Sequence, residues 1–288
     1  MSLTSFLGDK DHKDVRARFS QEFTKPRFAT KKEIIAPPIT QRYSLVGTAF
    51  DYILRFYVER LNPQAITGPW VAEKVVKGMK VIGVARAFSG STGLNDNLVN
   101  RCEQALARAK AAYGEYITSG VMSDDLLAAA LTLGQLDTYY RSGFIDENFG
   151  AVDEGDVLDL RNLAEAIDPD TFRTEKLCIL NPEFGSASSL VKGADADLLI
   201  DEALLEIKTT KTMEFKRDHF NQLVGYYVLS RIGGDDVSVQ PEIHTLGVYW
   251  SRFAVLQTFP VGDGVAEDTL PAFIQWFKQR AGELYRSS

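Results

Sequence analysis

The sequence predicts an α/β fold: a central mixed β-sheet flanked by helices, with an N-terminal helical portion packed against one side. Three observations lead to this. Between residues 44 and 173 apolar side chains recur mainly at helical spacing. From about residue 174 they fall instead into short runs bounded by turn residues, KLCIL, ADLLI and ALLEIK, which have the form of strands. A helically spaced segment, HFNQLVGYYVLSRI, then separates these from two more apolar runs, IHTLGVYW and RFAVLQTFPV. The expected order is helices, three strands, a helix, two strands and a final helix, in a single domain of three parts with boundaries at 1–43, 44–173 and 174–288.

Residues 1–43 are polar and irregular. Lys10, Lys13, Arg16, Arg18, Lys25, Arg27, Lys31, Lys32 and Arg42 outweigh Asp9, Asp11, Asp14, Glu22 and Glu33, and Pro37-Pro38 closes the stretch. It is expected to be a basic arm, either solvated across the surface or laid on a nucleic-acid backbone. From Ser44, Leu45, Ala49, Tyr52, Ile53, Phe56 and Tyr57 share a helix face, which Asn62-Pro63 ends. NLVNRCEQALARAKAAYGEYI and SDDLLAAALTLGQLDTYYR follow as helices, the second with Ser123 as N-cap and Gly143 or Gly150 as its end. The acidic DENFGAVDEGDVLDL is expected to be a solvated connector. In the last third, Phe220, Leu223, Tyr227 and Ile232 form a core-facing stripe, and AEDTLPAFIQWFKQRAGELYR is an amphipathic helix with Pro271 in its first turn.

Composition narrows the function. With 288 residues, 45% of them hydrophobic, the chain can bury a sizeable core. It has no apolar run near the roughly 20 residues a membrane helix needs, nor an apolar signal segment at its start, so a cytoplasmic protein without a membrane partner is expected. Cys102 and Cys178 have no metal-ligand spacing and cannot supply the four thiolates of an iron–sulfur cluster. The net charge of −7 argues against general coating of nucleic acid but leaves room for a local basic track. No G-x-S-x-G points to a serine hydrolase, and no G-x-x-x-x-G-K-[ST] to a fused motor.

The stretch that carries chemistry is GADADLLIDEALLEIKTTK, residues 193–211. Alternation puts Glu206 and Lys208 on one face of a strand and Leu205 and Ile207 on the other. With Asp201-Glu202 as the turn, Ile200 pairs with Ala203 and Asp197 lies opposite Glu206; a different turn would put Asp195 there instead. Two carboxylates on an open face suit Mg²⁺, with Mn²⁺ as a substitute, because that ion prefers oxygen and is held by one or two carboxylates plus substrate phosphate. Lys208 beside them would offset charge on phosphorus. An ordinary surface hairpin with a weak ion pair is the alternative. Downstream, Gln222 and Tyr226 are one helical turn apart.

G-x-x-A-D-x-L-I-D, L-E-I-K-T-T-K and Q-L-V-G-Y together resemble the PD-(D/E)xK nuclease superfamily, and within it the RecB-like exonucleases. The resemblance implies a restriction-endonuclease-like core and Mg²⁺-dependent cleavage of DNA. It assigns Asp197 and Glu206 to the metal, Lys208 to catalysis, and Gln222 and Tyr226 to the strand. Thr209 and Lys211 follow the lysine on the nucleic-acid side. Where such proteins carry G-x-x-x-H, Gly47 and Asp51 have the spacing with aspartate in place of histidine. Asp51 is therefore either an additional metal ligand or a plain exposed helix residue. The four-cysteine cluster found in some relatives is absent. The chain resembles a standalone nuclease domain of phage or mobile-element type. DNA is its implied substrate, and a second copy or a recombination or phage protein its implied companion.

Overall fold

The computed structural model describes residues 3–28, 32–88, 96–143, 148–233 and 241–286. Lys31 of the expected arm and Asp146-Glu147 of the expected connector lie outside the described residues. The elements are α1 (Leu3–Gly8), α2 (Lys13–Glu22), α3 (Tyr43–Leu61), β1 (Ile66–Thr67), α4 (Val71–Phe88), α5 (Asp96–Ser119), α6 (Asp124–Ser142) and α7 (Glu154–Glu165). They are followed by β2 (Cys178–Leu180), α8 (Ser186–Ser189), β3 (Leu198–Ile200), β4 (Ala203–Lys208), α9 (Arg217–Ile232), β5 (Thr245–Trp250), β6 (Val255–Pro260) and α10 (Leu270–Arg286). Helix α4 occupies a stretch to which periodicity assigned no element.

The strands form one mixed sheet in the order β1-β2-β3-β4-β5-β6. β1 with β2 and β4 with β5 are parallel, and the other neighbours are antiparallel. The parallel β4–β5 pair needs a crossover, and α9 supplies it. Strand alternation then sends side chains to two separate cores. Leu198, Ile200, Leu205, Ile207 and Tyr249 face α3, α6 and the rest of the helical portion. Leu199, Leu204, Leu246, Val248 and Trp250 face α9 and α10. The chain is thus an α/β protein whose sheet is flanked by helices. Among the described residues no helix is long and apolar enough to cross a membrane.

Two expectations are corrected. The first half of the N-terminal stretch is not an irregular arm: α1 and α2 bury Leu3, Phe6, Leu7, Val15 and Phe19 in the same core as α9 and α10, while residues 23–28 and 32–42 carry no helix or strand. Phe19 packs edge-on to Phe23, Phe273 and Phe277. The arm's lysines and arginines outnumber these apolar residues, so local charge masked an amphipathic pattern.

The acidic connector is likewise a helix. In α7, capped by the Asp153 side chain on the Gly155 N–H, Leu160 and Leu163 are buried, and so are Asp156 and Asp159. Asp156 accepts from Thr40 Oγ1 (2.5 Å) and Arg42 Nη1 (2.9 Å). Asp159 takes a two-pronged contact from the fully buried Arg252, at 2.7 and 3.1 Å. Arg252 Nη1 also donates to the Ala36 carbonyl, and its own carbonyl accepts from the N–H groups of Ile35 and Ala36. These acids are counter-charges for the strap at residues 35–42, which clips it to the β5–β6 connection.

Gly247 sits mid-sheet between β4 and β6, where a Cβ would come within 2.8 Å of Leu205 Cδ2 and 2.9 Å of Thr258 Cγ2. Gly247→Ala is expected to destabilise by about 1–3 kcal/mol, the usual cost of overpacking, measured by urea unfolding. A variant as stable as the wild type would show that the sheet can widen there.

Candidate active site

The β3–β4 hairpin has the register Ile200↔Ala203, Leu199↔Leu204 and Leu198↔Leu205. Its turn is Asp201-Glu202, with Asp201 in the left-handed region at φ 53° and its carboxylate accepting from Thr174 Oγ1. One position beyond the ladder, Asp197 lies against Glu206, and Asp197 Oδ2 accepts the Ile207 N–H at 2.6 Å. The register therefore brings Asp197 to Glu206 and leaves Asp195 two residues further out. Asp195 is exposed and paired across an isolated bridge with Glu183, which in turn holds Lys74 at 2.7 Å. Asp195 also lines a groove of about 990 Å³ along the β1–β2 edge, which Glu206, Lys208 and Gln222 do not reach.

Glu206 is 5% exposed. Its Oε1 accepts from Lys208 Nζ and from Gln222 Nε2, both at 2.8 Å. Lys208 Nζ also donates to Gln222 Oε1 (3.0 Å), and Gln222 Nε2 donates to Tyr226 OH (3.0 Å). Only this orientation of the Gln222 amide works, since the reverse would turn its N–H groups against the ammonium. Helical spacing delivers Gln222 and Tyr226 to the same face of α9, over the face of β4 that carries Glu206 and Lys208. Glu206 Oε2 remains buried with no hydrogen-bond partner among the described residues.

Helix α3 supplies the other wall. Tyr43, Gly47 and Asp51, four residues apart, share a face. A Cβ on Gly47 would lie 3.5 Å from Thr209 Cβ, so this face of α3 runs close beside the end of β4. Asp51 is not a plain exposed residue. Its Oδ2 accepts from Arg55 Nη2 at 2.6 Å, while its Oδ1 is buried without a partner among the described residues. Arg55, which the sequence reading missed, is 6% exposed and lies over the Tyr52 ring at 4.6 Å. Tyr52 OH in turn donates to Asp137. The i, i+4 spacing of Asp51 and Arg55 was a visible signal for that ion pair.

The charges are coupled. Burial, then Glu206 and Asp51, push the Asp197 carboxyl well above its ordinary range. Burial opposes the charge on Lys208, but Glu206 and Asp197 overcome it and keep the ammonium protonated. Burial followed by Glu206 and Asp197 raises the Tyr226 phenol far above its usual value. Low-dielectric surroundings penalise an unpaired carboxylate oxygen, and a bound cation reverses that penalty. Two buried, partnerless carboxylate oxygens beside an aspartate that takes up a proton readily are a donor set that fits a hard divalent ion. Among the described residues no three acidic, histidine or cysteine side chains already form a cage. Few protein ligands suit Mg²⁺, which keeps several waters and takes substrate phosphate.

Of the other candidates, Thr209 Oγ1 accepts from Ser251 Oγ at 3.0 Å, tying the end of β4 to that of β5. Lys211 does not reach the carboxylates; its Nζ lies 3.9 Å from the centre of the Tyr43 ring. His219 stays at the start of α9, where Nδ1 faces the Lys216 N–H at 3.4 Å. Burial, then Lys208 and Lys216, with Asp218 opposing, lower its pKa to about 4. A histidine depressed in the folded state contributes stability that is complete above its unfolded pKa of about 6.5 and is lost as pH falls towards about 4. Because the ring is only part-buried, solvent screening discounts the effect, and against a His219→Gln variant the wild type is expected to lose about 0.5–1 kcal/mol more between about pH 7 and pH 5 in urea titrations. Parallel pH profiles would show that His219 is not buried as a neutral ring.

Comparison with protein-family models, with curated proteins and with solved structures gives no match.

Proposed function

We propose that the chain is a divalent-metal-dependent nuclease that hydrolyses DNA phosphodiester bonds on a restriction-endonuclease-like core of the RecB-like type. The observation that carries this reading is Glu206: a buried carboxylate with one oxygen clasped by Lys208 and Gln222, the other partnerless, and Asp197 in register beside it. Asp197 and Glu206 would hold the ion, with Asp51 Oδ1 as a further oxygen donor. When bound, Mg²⁺ or its substitute Mn²⁺ supplies Lewis acidity, polarising a phosphoryl oxygen and acidifying water.

The chain's own groups do the rest. Lys208, held charged by Glu206 and Asp197, is a cation rather than a proton acceptor. Its part is to offset negative charge that grows on phosphorus and to orient an oxygen by hydrogen bonding. Gln222 fixes Lys208 and Glu206 Oε1 at once, so Oε2 would be the oxygen that holds an ion. Tyr226 stays protonated and braces the Gln222 amide. Arg55 keeps Asp51 from leaving the acidic wall.

A second reading, a nuclease-like fold that binds nucleic acid without catalysis, draws on one observation: Lys208, Gln222 and Glu206 Oε1 satisfy one another's hydrogen bonds. Labelled linear, circular and single-stranded DNA incubated with the purified protein in Mg²⁺ or Mn²⁺ separates the two. Cleavage that persists in both Glu206→Ala and Lys208→Ala rules out the proposed site. A wild type that binds DNA, takes up no Mn²⁺ in calorimetry and never cuts is the binding module.

A further inference from the structure

We infer that Tyr43 and Lys211 form a subsite for one nucleotide of a single strand, with the base stacked on Tyr43 and its phosphate on Lys211. This rests on the nuclease reading for its location, though not for its test. The two residues are far apart in sequence, yet Lys211 Nζ sits 3.9 Å from the centre of the Tyr43 ring. Both are at the surface: Lys211 is exposed and Tyr43 is 36% exposed, unlike most of the described aromatic side chains, which are buried or part-buried.

Their position gives the pair its meaning. Along α3, Tyr43, Gly47 and Asp51 follow one another on one face. Along the exit from β4, Lys208, Thr209 and Lys211 run beside them. Contacts join the two lines at Tyr43–Lys211 and at Gly47–Thr209, and at their inner end the charge of Asp51 is felt by Asp197, at the start of the neighbouring strand β3. Tyr43 is about 12 Å along the helix from Asp51, eight residues at 1.5 Å each. The pair thus ends a two-walled track that begins at the acidic residues. Thr209 is bound to Ser251, which ties the segment that carries Lys211 to the end of β5, and Thr210 Oγ1 donates to the Thr212 carbonyl, which closes a local turn around Lys211.

The chemistry suits an unstacked base better than a duplex. An exposed cation–π contact is weak, and a lysine freed from it can move to a phosphate at small cost. The ring face it leaves accepts any base by stacking, which an aromatic side chain does without sequence preference. A duplex keeps its bases stacked on one another and offers this ring nothing. Positive charge at this end of the track also offsets the repulsion that the acidic cluster exerts on an incoming strand.

The test is fluorescence anisotropy of short labelled oligo(dT) and oligo(U) with the full-length protein in EDTA, across a range of salt concentrations, with duplex DNA as control. Tyr43→Ala is expected to weaken single-strand binding about 5- to 100-fold, to leave the salt slope unchanged and to leave duplex binding as it was. Tyr43→Phe, which keeps the ring, should bind like the wild type. Lys211→Gln should lower the salt slope by about 0.7, the loss of one phosphate contact. Tyr43 dependence with either oligonucleotide supports the subsite, and the ratio of the two reports which sugar it takes.

The proposal is overturned if the wild type binds neither oligonucleotide, if Tyr43→Ala binds like the wild type, if Tyr43→Phe binds as weakly as Tyr43→Ala, or if Lys211→Gln leaves the slope unchanged. Because EDTA removes catalysis, this outcome is independent of the nuclease reading. Duplex cleavage in Mg²⁺ without Tyr43-dependent binding would retain the nuclease and discard the subsite. Tyr43-dependent binding without cleavage would do the reverse.

Discussion

Glu206→Gln is expected to lower DNA cleavage by about 10²–10³-fold or more while the fold stays intact, because it removes a charged oxygen that would hold the ion supplying Lewis acidity, and losing one preorganised electrostatic element costs about that much. Glutamine keeps the shape and still offers an oxygen to Lys208, but it removes the buried charge whose second oxygen has no partner. Two further readouts separate a metal-holding role from a structural one. Mn²⁺ should raise the melting temperature of the wild type, since an ion that binds only the folded state stabilises it, and should do so far less in the variant. Without metal, the variant should be somewhat less stable than the wild type, because it leaves the Lys208 ammonium without the carboxylate that pairs with it at 2.8 Å. Lys208→Met should slow the chemical step without moving the Mn²⁺ concentration for half-activation. Full activity in Glu206→Gln, or equal Mn²⁺ stabilisation of both proteins, defeats the assignment.

The second large effect concerns stability. Arg252→Met is expected to cost about 3–5 kcal/mol, the usual result of leaving one member of a buried ion pair alone. Asp159 would then be a fully buried carboxylate that keeps only a 3.3 Å contact from the Ile39 N–H. The Ala36 carbonyl would lose its donor as well. Since typical domains are stable by only about 5–15 kcal/mol, this loss should be plain in the urea midpoint. Replacing both partners, Arg252→Met with Asp159→Leu, should recover much of the loss, because two apolar groups leave no orphaned charge. A single variant within about 1 kcal/mol of the wild type would show that water reaches Asp159.

The two predictions fall on opposite sides of what the chain reveals before it folds. Alternation in ADLLI and ALLEIK is a local property, so the hairpin and the shared face of Glu206 and Lys208 were legible, and the Asp201-Glu202 turn fixed the register that favours Asp197 over Asp195. The i, i+4 spacing of Gln222 and Tyr226 was equally local, although their hydrogen bonds to Glu206 and to each other required α9 to cross β4 at that height. Asp51 was visible as a spacing, with two meanings left open. Its pairing with Arg55 is local, at i, i+4 on α3, whereas its approach to Asp197 was settled by where α3 packs.

Charge was the harder signal. In DENFGAVDEGDVLDL the acids resemble a solvated connector, because nothing near them in sequence carries the compensating cations; Arg42 and Arg252 arrive from the strap and from the end of β5. In the N-terminal stretch the basic residues concealed Leu3, Phe6, Val15 and Phe19, whose partners on α9 and α10 lie some 200 residues away. The sequence by itself determined which side chains share a strand face or a helix face, since those periods are set by backbone geometry alone. Only the tertiary structure decided which carboxylates are left without a partner and which are neutralised. That depends on long-range packing, which brings a counter-ion to Asp159 and, among the described residues, brings no hydrogen-bond donor to Glu206 Oε2.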